Sequence, residues 1–181
     1  GVLLGIVTII LFPFIAVAIK LTSSGPILYR QQRVGQHGKN FEMVKFRTMN
    51  HHAERESGAV WTSENDPRIT RVGYLLRKTR VDELPQVWNI LRGEMSFVGP
   101  RAERPEFHEK LTQEVPFYEE RYLVKPGATG WAQLQRSYYA SIIETHEKLQ
   151  YDLYYVKNRS LTFDLGIFLR TLNLVVRGGG R

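Results

Sequence analysis

The chain has 181 residues, 43% of them hydrophobic and 24% charged, which suits one domain with a real core and contains no low-complexity run. It has no cysteine, so disulfides, thiolate metal sites and cysteine nucleophiles are excluded. A net charge of +7 favours an anionic partner, but does not choose among nucleic acid, a membrane surface and a phosphorylated substrate.

From Gly1 to Ile19 there is no charged residue, only Thr8 and Pro13 among aliphatics, glycine and phenylalanine. As a helix this stretch reaches about 28 Å, close to the ~30 Å of a bilayer's hydrocarbon core. No charged region precedes it and no small-residue cleavage site follows, which argues against a cleaved signal peptide. The start at Gly1, without an initiator Met, reads as an excised fragment. Pro13 removes one backbone hydrogen bond and predicts a kink at Leu11-Phe12-Pro13. An ordinary spanning helix and a kinked hairpin that returns to its side of entry both stay open, and a buried core helix is disfavoured by the uncharged length. Lys20, Arg30 and Arg33 all lie on the distal side, which marks that side as cytoplasmic.

Ser23-Ser24-Gly25-Pro26 punctuates the exit from this segment. Two β-prone runs, Ile27 to Val34 and Phe41 to Met49, flank Gly35-Gln36-His37-Gly38 and predict a hairpin. His51 to Asn65 is polar without a period and reads as a mobile loop. Asp66-Pro67 predicts a helix start with Asp as N-cap, running to about Thr79. Asp82-Glu83-Leu84-Pro85 predicts a second, again capped by Asp, continuing to a stop at Gly93. Further helices are expected over Pro105 to Glu114, Glu144 to Lys157 and Phe163 to Arg177, with rigid turns at Gly99-Pro100-Arg101 and Pro126 to Gly130. In the last helix Leu165, Phe168, Leu169, Leu172, Val175 and Val176 share one arc opposite Arg170, Asn173 and Arg177, which suits a core-facing or an interfacial helix. The fold class expected is α/β, mostly α with a small hairpin sheet.

Chemistry concentrates in Arg77-Lys78-Thr79-Arg80-Val81-Asp82-Glu83-Leu84-Pro85-Gln86, where two adjacent carboxylates follow a cationic run at a helix N-terminus. Arg77 and Arg80 are expected to keep Asp82 ionised, and an ionised carboxylate beside phosphate-binding cations can bind Mg²⁺ or attack phosphorus. The structural alternative makes Asp82 a cap, Glu83 a first-turn acid and the arginines solvated. Arg101 and Lys125, each beside a rigid turn, could reach phosphate. The adjacent pair His51-His52 lacks the spacing of a zinc site. Tyr138, Tyr139, Tyr151, Tyr154 and Tyr155 suit an interfacial belt or a packed cluster equally. No Walker motif, dinucleotide fingerprint, serine nucleophile elbow, Asp-x-Asp or nucleic-acid-binding motif occurs.

Six ordered motifs resemble the bacterial sugar transferase family, the monotopic phosphoglycosyl transferases, over essentially the whole chain. They are Gly25-Pro26 with Gln31-Gln32-Arg33-Val34-Gly35, Lys45-Phe46-Arg47-Thr48-Met49, Asp82-Glu83-Leu84-Pro85-Gln86, Met95-Ser96-Phe97-Val98-Gly99-Pro100-Arg101, Lys125 to Gln133, and Tyr151 to Asn158. The resemblance implies two half-steps. Asp82 would attack the β-phosphate of a UDP-sugar and release UMP, and undecaprenyl phosphate would then take the phosphosugar, priming exopolysaccharide synthesis. It implies Glu83 as dyad partner, Mg²⁺ as cofactor held by Asp82 and Glu83, and Arg77, Arg101 and Arg136 as phosphate-binding residues.

The resemblance further implies residues 1–22 as a re-entrant membrane helix turned at Pro13, and residues 23–181 as a catalytic domain with interfacial helices. That domain would lie on the cytoplasmic face of a bacterial inner membrane, against anionic lipid, with self-association left open. The sugar expected is a hexose such as glucose or galactose. Two departures stand out: Phe12, where many members have serine, and Leu134 to Tyr139, where many smaller members read Asn-Gly-Arg-Asn. Gly99 to Pro105 resembles the large exopolysaccharide-priming members, which carry extra upstream domains. Rival readings are a membrane-tethered basic binding module and a lipid-phosphate phosphatase using Asp82.

Overall fold

Helix α1 runs unbroken from Val2 to Thr22, through Pro13, in a computed structural model that describes residues 2–53, 58, 60, 66–135 and 142–177. Leu4–Thr22 is long and apolar enough to cross a membrane. One stripe of α1, including Phe12, Ile15 and Ile19, packs against protein, while Ile9, Phe14 and Leu21 on the rest are 75%, 70% and 81% exposed. That asymmetry removes the core-helix reading, because a soluble protein rarely leaves so much contiguous apolar surface bare.

The chain falls into two units, Gly1–Arg30 with Val44–Trp88 and Leu174–Arg181, and Gln31–Met43 with Asn89–Asn173. The expected hairpin is present: β1 (Leu28–Val34) pairs with β2 (Asn40–Phe46), and one end of it belongs to each unit. In the first unit, Ile19, Phe46 and Leu76 are buried together, with Phe12, Ile15, Val72, Val81 and Leu84 packed around them. Phe12 has its ring 5.6 Å from that of Phe46.

Helix α2 spans Arg71–Lys78, four residues shorter at its start than the Asp66 cap predicts. Asp66 is instead committed to a local turn, its carboxylate accepting from the Arg68 backbone N–H at 3.0 Å and from the Arg68 guanidinium at 2.8 and 2.6 Å. A bridge between Met49 and Ile69 keeps the following residues extended. Thr70 then takes the cap, its Oγ1 accepting from Gly73 N–H at 2.9 Å. Gly73 sits where α2 meets the 48–50 segment, and a Cβ there would overlap the Thr48 carbonyl oxygen.

The second expected helix also differs. Val81–Gln86 is a 3-10 turn, followed by a short α3, Val87–Leu91. Pro85 has no N–H for an α-type bond, which favours the tighter winding. The cap position belongs to Arg80, left-handed at φ 57°, and not to Asp82.

In the second unit, β3 (Ser96–Val98) runs parallel to β4 (Gly127–Thr129), so the 126–130 stretch expected as a turn is partly a strand. Gly99 and Gly127 permit the pairing; a Cβ on Gly127 would meet the Val98 carbonyl carbon at 2.6 Å. Helices α4 (Pro105–Glu114), α5 (Trp131–Gln135), α6 (Ile142–Asn158) and α7 (Leu161–Val176) complete this part of the chain, with a 3-10 turn at Tyr118–Leu123. α4, α6 and α7 agree with the sequence reading; α5 and both 3-10 turns are too short to show a period. On α7 the side facing the core carries Phe163 and Ile167, while Leu165, Leu169, Leu172 and Val176 of the apolar arc are exposed. The arc is therefore not a core face.

Buried charges bind this unit together. Arg121 donates to Asp152 at 3.0 and 2.8 Å, to the Tyr118 hydroxyl at 3.1 Å and to the Arg101 carbonyl at 2.8 Å. Lys148 pairs with Glu103. Burial alone would push the Glu103 carboxyl up, but the cations of Lys148, Arg121 and Arg33 overcome it and bring it down to about 2.

Candidate active site

The first unit gathers Arg77, Arg80, Asp82 and Glu83, all singled out by sequence. α2 ends at Lys78, Arg80 reverses the chain in its left-handed conformation, and the 3-10 turn then presents Asp82 and Glu83. Val81 and Leu84, on either side of this pair, are anchored in the apolar cluster with Ile19 and Phe46. The acidic pair is thus fixed from both sides by burial.

Asp82 is 7% exposed and its Oδ1 is buried without a hydrogen-bond partner among the described residues. Leaving a carboxylate oxygen bare costs stability unless a ligand or cation meets it. Burial first, and the neighbouring Glu83 carboxylate second, push the Asp82 carboxyl up to about 6, against the opposing fields of Lys45, Arg77 and Arg80. The sequence reading expects the arginines to keep Asp82 ionised; desolvation outweighs their field and moves the carboxyl upward, and an acid of that strength is still mostly ionised at neutral pH. The expected helix dipole is absent too, because a six-residue 3-10 turn stands where a longer helix was predicted. Side-chain cations supply the positive field instead.

Glu83 is held on both oxygens, by Lys45 Nζ at 2.6 Å and by Arg80 Nη1 at 3.4 Å. Arg77 donates from Nε to Thr48 Oγ1 at 2.9 Å, which aims its charge along the same wall. Lys45 stands in one of the six motifs named from the sequence but has no role assigned there. Its place on β2, one residue before buried Phe46, puts it on the opposite face of the strand, but its pairing with Glu83, 38 residues on, has no local signal. Arg101 belongs to the second unit, where its carbonyl is fixed by Arg121. Arg136, Tyr138 and Tyr139 lie outside the described residues, as does most of the 51–65 loop. Tyr155 is a core residue, its hydroxyl bonded to Asp164 at 2.8 Å, whereas Tyr154 is exposed.

Among the described residues no three His, Asp or Glu side chains gather to form a metal cage. The acidic pair is the kind of donor set Mg²⁺ uses, one or two carboxylates completed by substrate phosphates and water. The bare Oδ1 of Asp82 fits such an ion, while the oxygens of Glu83 are already engaged.

The model of the family described as "Bacterial sugar transferase" matches residues 1–178. The UDP-N-acetylgalactosamine-undecaprenyl-phosphate N-acetylgalactosaminephosphotransferase of Aeromonas hydrophila is 44% identical over 165 residues, covering 91% of this chain and 39% of that protein. The UDP-glucose:undecaprenyl-phosphate glucose-1-phosphate transferase of Xanthomonas campestris pv. campestris is 40% identical over 159 residues, 87% of this chain and 33% of that protein. The exopolysaccharide production protein PSS of Rhizobium leguminosarum bv. phaseoli is 41% identical over 176 residues, 92% of this chain and 86% of that protein. The chain thus spans well under half of the first two relatives and most of the third.

Proposed function

Because the chain belongs to the bacterial sugar transferase family, we propose that it carries the catalytic part of an enzyme moving a sugar-1-phosphate from a UDP-sugar to undecaprenyl phosphate. The observation that carries this reading is Asp82, a buried carboxylate with one bare oxygen faced by three cations.

In the first half-step the Asp82 carboxylate oxygen attacks the β-phosphorus of the donor. The bond from that phosphorus to the oxygen bridging the α-phosphate breaks, and UMP leaves with that oxygen. The aspartyl phosphosugar is then attacked at phosphorus by an oxygen of undecaprenyl phosphate, which forms the lipid diphosphate sugar and returns the carboxylate. Two anions approach one another in both steps, and Lys45, Arg77 and Arg80 offset that repulsion. Glu83, clamped by Lys45 and Arg80, keeps those cations in place and adds the negative field that holds Asp82 reactive. Mg²⁺ bound at Asp82 would supply further neutralisation of the diphosphate. Arg101 serves as a phosphate partner from its pinned loop.

The names of the relatives favour a hexose or N-acetylhexosamine donor and a part in exopolysaccharide production, which the transfer onto undecaprenyl phosphate would prime. The apolar outer face of α1 and the exposed arc of α7 support a membrane-surface enzyme, with α7 lying in the interface against anionic lipid. Pro13 inside α1 supports a re-entrant helix, and the cations that follow Ile19 support an active site on the cytoplasmic side.

The test is Asp82→Asn, which keeps shape and removes the nucleophilic charge. With the protein in lipid nanodiscs, UMP release should fall by about three orders of magnitude or more, with the unfolding temperature held. Label from a sugar-radiolabelled donor should stay on the parent protein when lipid phosphate is withheld, and not on the variant. A folded Asp82→Asn protein that releases UMP near the parent rate refutes the covalent route. Dependence of full turnover on undecaprenyl phosphate separates a transferase from a phosphatase and from a binding module.

A further inference from the structure

The first unit also holds a cleft of about 620 Å³ that the chemistry above leaves unused, lined among others by Ser23, Ser24, Asn50, His51, His52 and Arg68. Its walls are fixed. Arg47 donates to the carbonyls of Ser23 and Ser24, the Asn50 N–H donates to the Arg68 carbonyl at 3.0 Å, and the Ala53 N–H donates to the Asn50 carbonyl at 3.0 Å. None of the residues lining it is acidic. Its cation, Arg68, is already paired with Asp66 at 2.6 Å, so the cleft suits a polar ligand more than a bare phosphate. The rings of His51 and His52 stand 4.5 Å apart at 52° and offer stacking faces.

Its position ties it to the catalytic carboxylate. Arg77 acts on both Asp66, beside the cleft, and Asp82, and its Nε is bonded to Thr48, two residues before Asn50. Arg77, bonded to the segment that leads into Asn50, is thus a cation shared by the neighbourhoods of the acidic pair and the cleft.

We propose that this cleft receives the nucleoside half of the nucleotide-sugar donor, with the diphosphate along Arg77; the assignment rests on the donor reading above. The Asn50 amide, one acceptor and two donors, matches the mixed edge of a pyrimidine, the imidazoles give it a stacking surface, and the serine hydroxyls suit a ribose. The volume lies within the range of small-ligand sites. An apolar polyprenyl chain has no use for such walls.

The probe is UMP, titrated onto the membrane-embedded chain by calorimetry, alongside steady-state kinetics with UDP-N-acetylgalactosamine, UDP-glucose and undecaprenyl phosphate. Asn50→Leu and His51→Ala alter exposed side chains, and unchanged unfolding temperatures check that they fold. Each should weaken UMP binding by about tenfold, as one lost ligand hydrogen bond or stacking contact implies, and raise donor KM equally while leaving the lipid-phosphate KM alone. Failure of the parent protein to bind UMP, parental UMP affinity in both variants, or a rise confined to the lipid-phosphate KM would each overturn the assignment. Asp82→Asn should keep parental UMP affinity. If it also keeps turnover while the cleft variants lose UMP, the nucleophile reading falls and the cleft stands; the opposite pattern removes only the cleft.

Discussion

Gly73→Ala sets two opposing effects against each other, and the structure decides their sign. In an exposed helix interior, alanine favours the helix over glycine by about 1 kcal/mol. Gly73 is buried in α2, however, and an added methyl would overlap the Thr48 carbonyl oxygen and come within 2.6 Å of its carbon and 2.7 Å of its Cα. That neighbour is backbone, held by the Thr70 N–H at 3.0 Å, so it cannot rotate aside and α2 must move as a body. Overpacking of this kind costs roughly 1–3 kcal/mol, and an unyielding neighbour puts the cost at the upper end. After the propensity gain, a net loss of about 2 kcal/mol remains, or about 4–8 °C for a chain of this size. Arg77 lies one turn further along α2 and bonds the same Thr48, so the displacement reaches the site and UMP release should fall with stability. Thermal unfolding of parent and variant in the same detergent reads the first effect, and donor kinetics the second. A Gly73→Ala protein with a raised unfolding temperature and parental activity would refute the packing argument.

Other expectations follow from the same geometry. Glu103 has a folded pKa of about 2 against an ordinary 4.5, so its contribution of about 3 kcal/mol is full above about pH 5 and fades as pH falls towards 2. Denaturant titrations should show that acid loss in the parent and not in Glu103→Gln; equal pH slopes would count against it. Arg101→Ala should raise donor KM and slow the first half-step, and unchanged kinetics would return Arg101 to a solvated role. Single cysteines placed just upstream of Gly1 and at Ser24 should label from the same side of intact membranes, with Pro13→Ala shifting part of the population towards opposite sides. Opposite labelling in the parent would mean that α1 spans.

Periodicity and capping rules located the long elements well. The hairpin flanked by Gly35 and Gly38, α4 opened by Pro105, and α6 and α7 were all legible because their signals are local and repeated. The misplacements occurred where one side chain had a stronger partner than the cap it resembled. Asp66 prefers the Arg68 guanidinium to a helix N-terminus, and Asp82 follows a left-handed Arg80 that had already taken the turn. The acidic pair itself was visible as a cluster of charge, but the upward shift of Asp82 was not: the cations are adjacent in sequence, whereas the burial that outweighs them comes from packing around Val81 and Leu84. Lys45 and the cleft walls depend on residues brought together from distant segments, and no window of sequence shows that.

Helix α1 also works as a structural wedge. Phe12, Ile15 and Ile19 close one side of the cluster that holds Val81 and Leu84, the residues bracketing the acidic pair. Cutting the chain after Thr22 to obtain a soluble catalytic fragment would strip the lid from that cluster and leave Phe46 and Leu76 facing water. Replacing α1 with an unrelated anchor of equal hydropathy would restore attachment but not fit. Helix α1 is therefore not a detachable anchor, and preparations that aim at function must carry it and an amphiphile for its outer face.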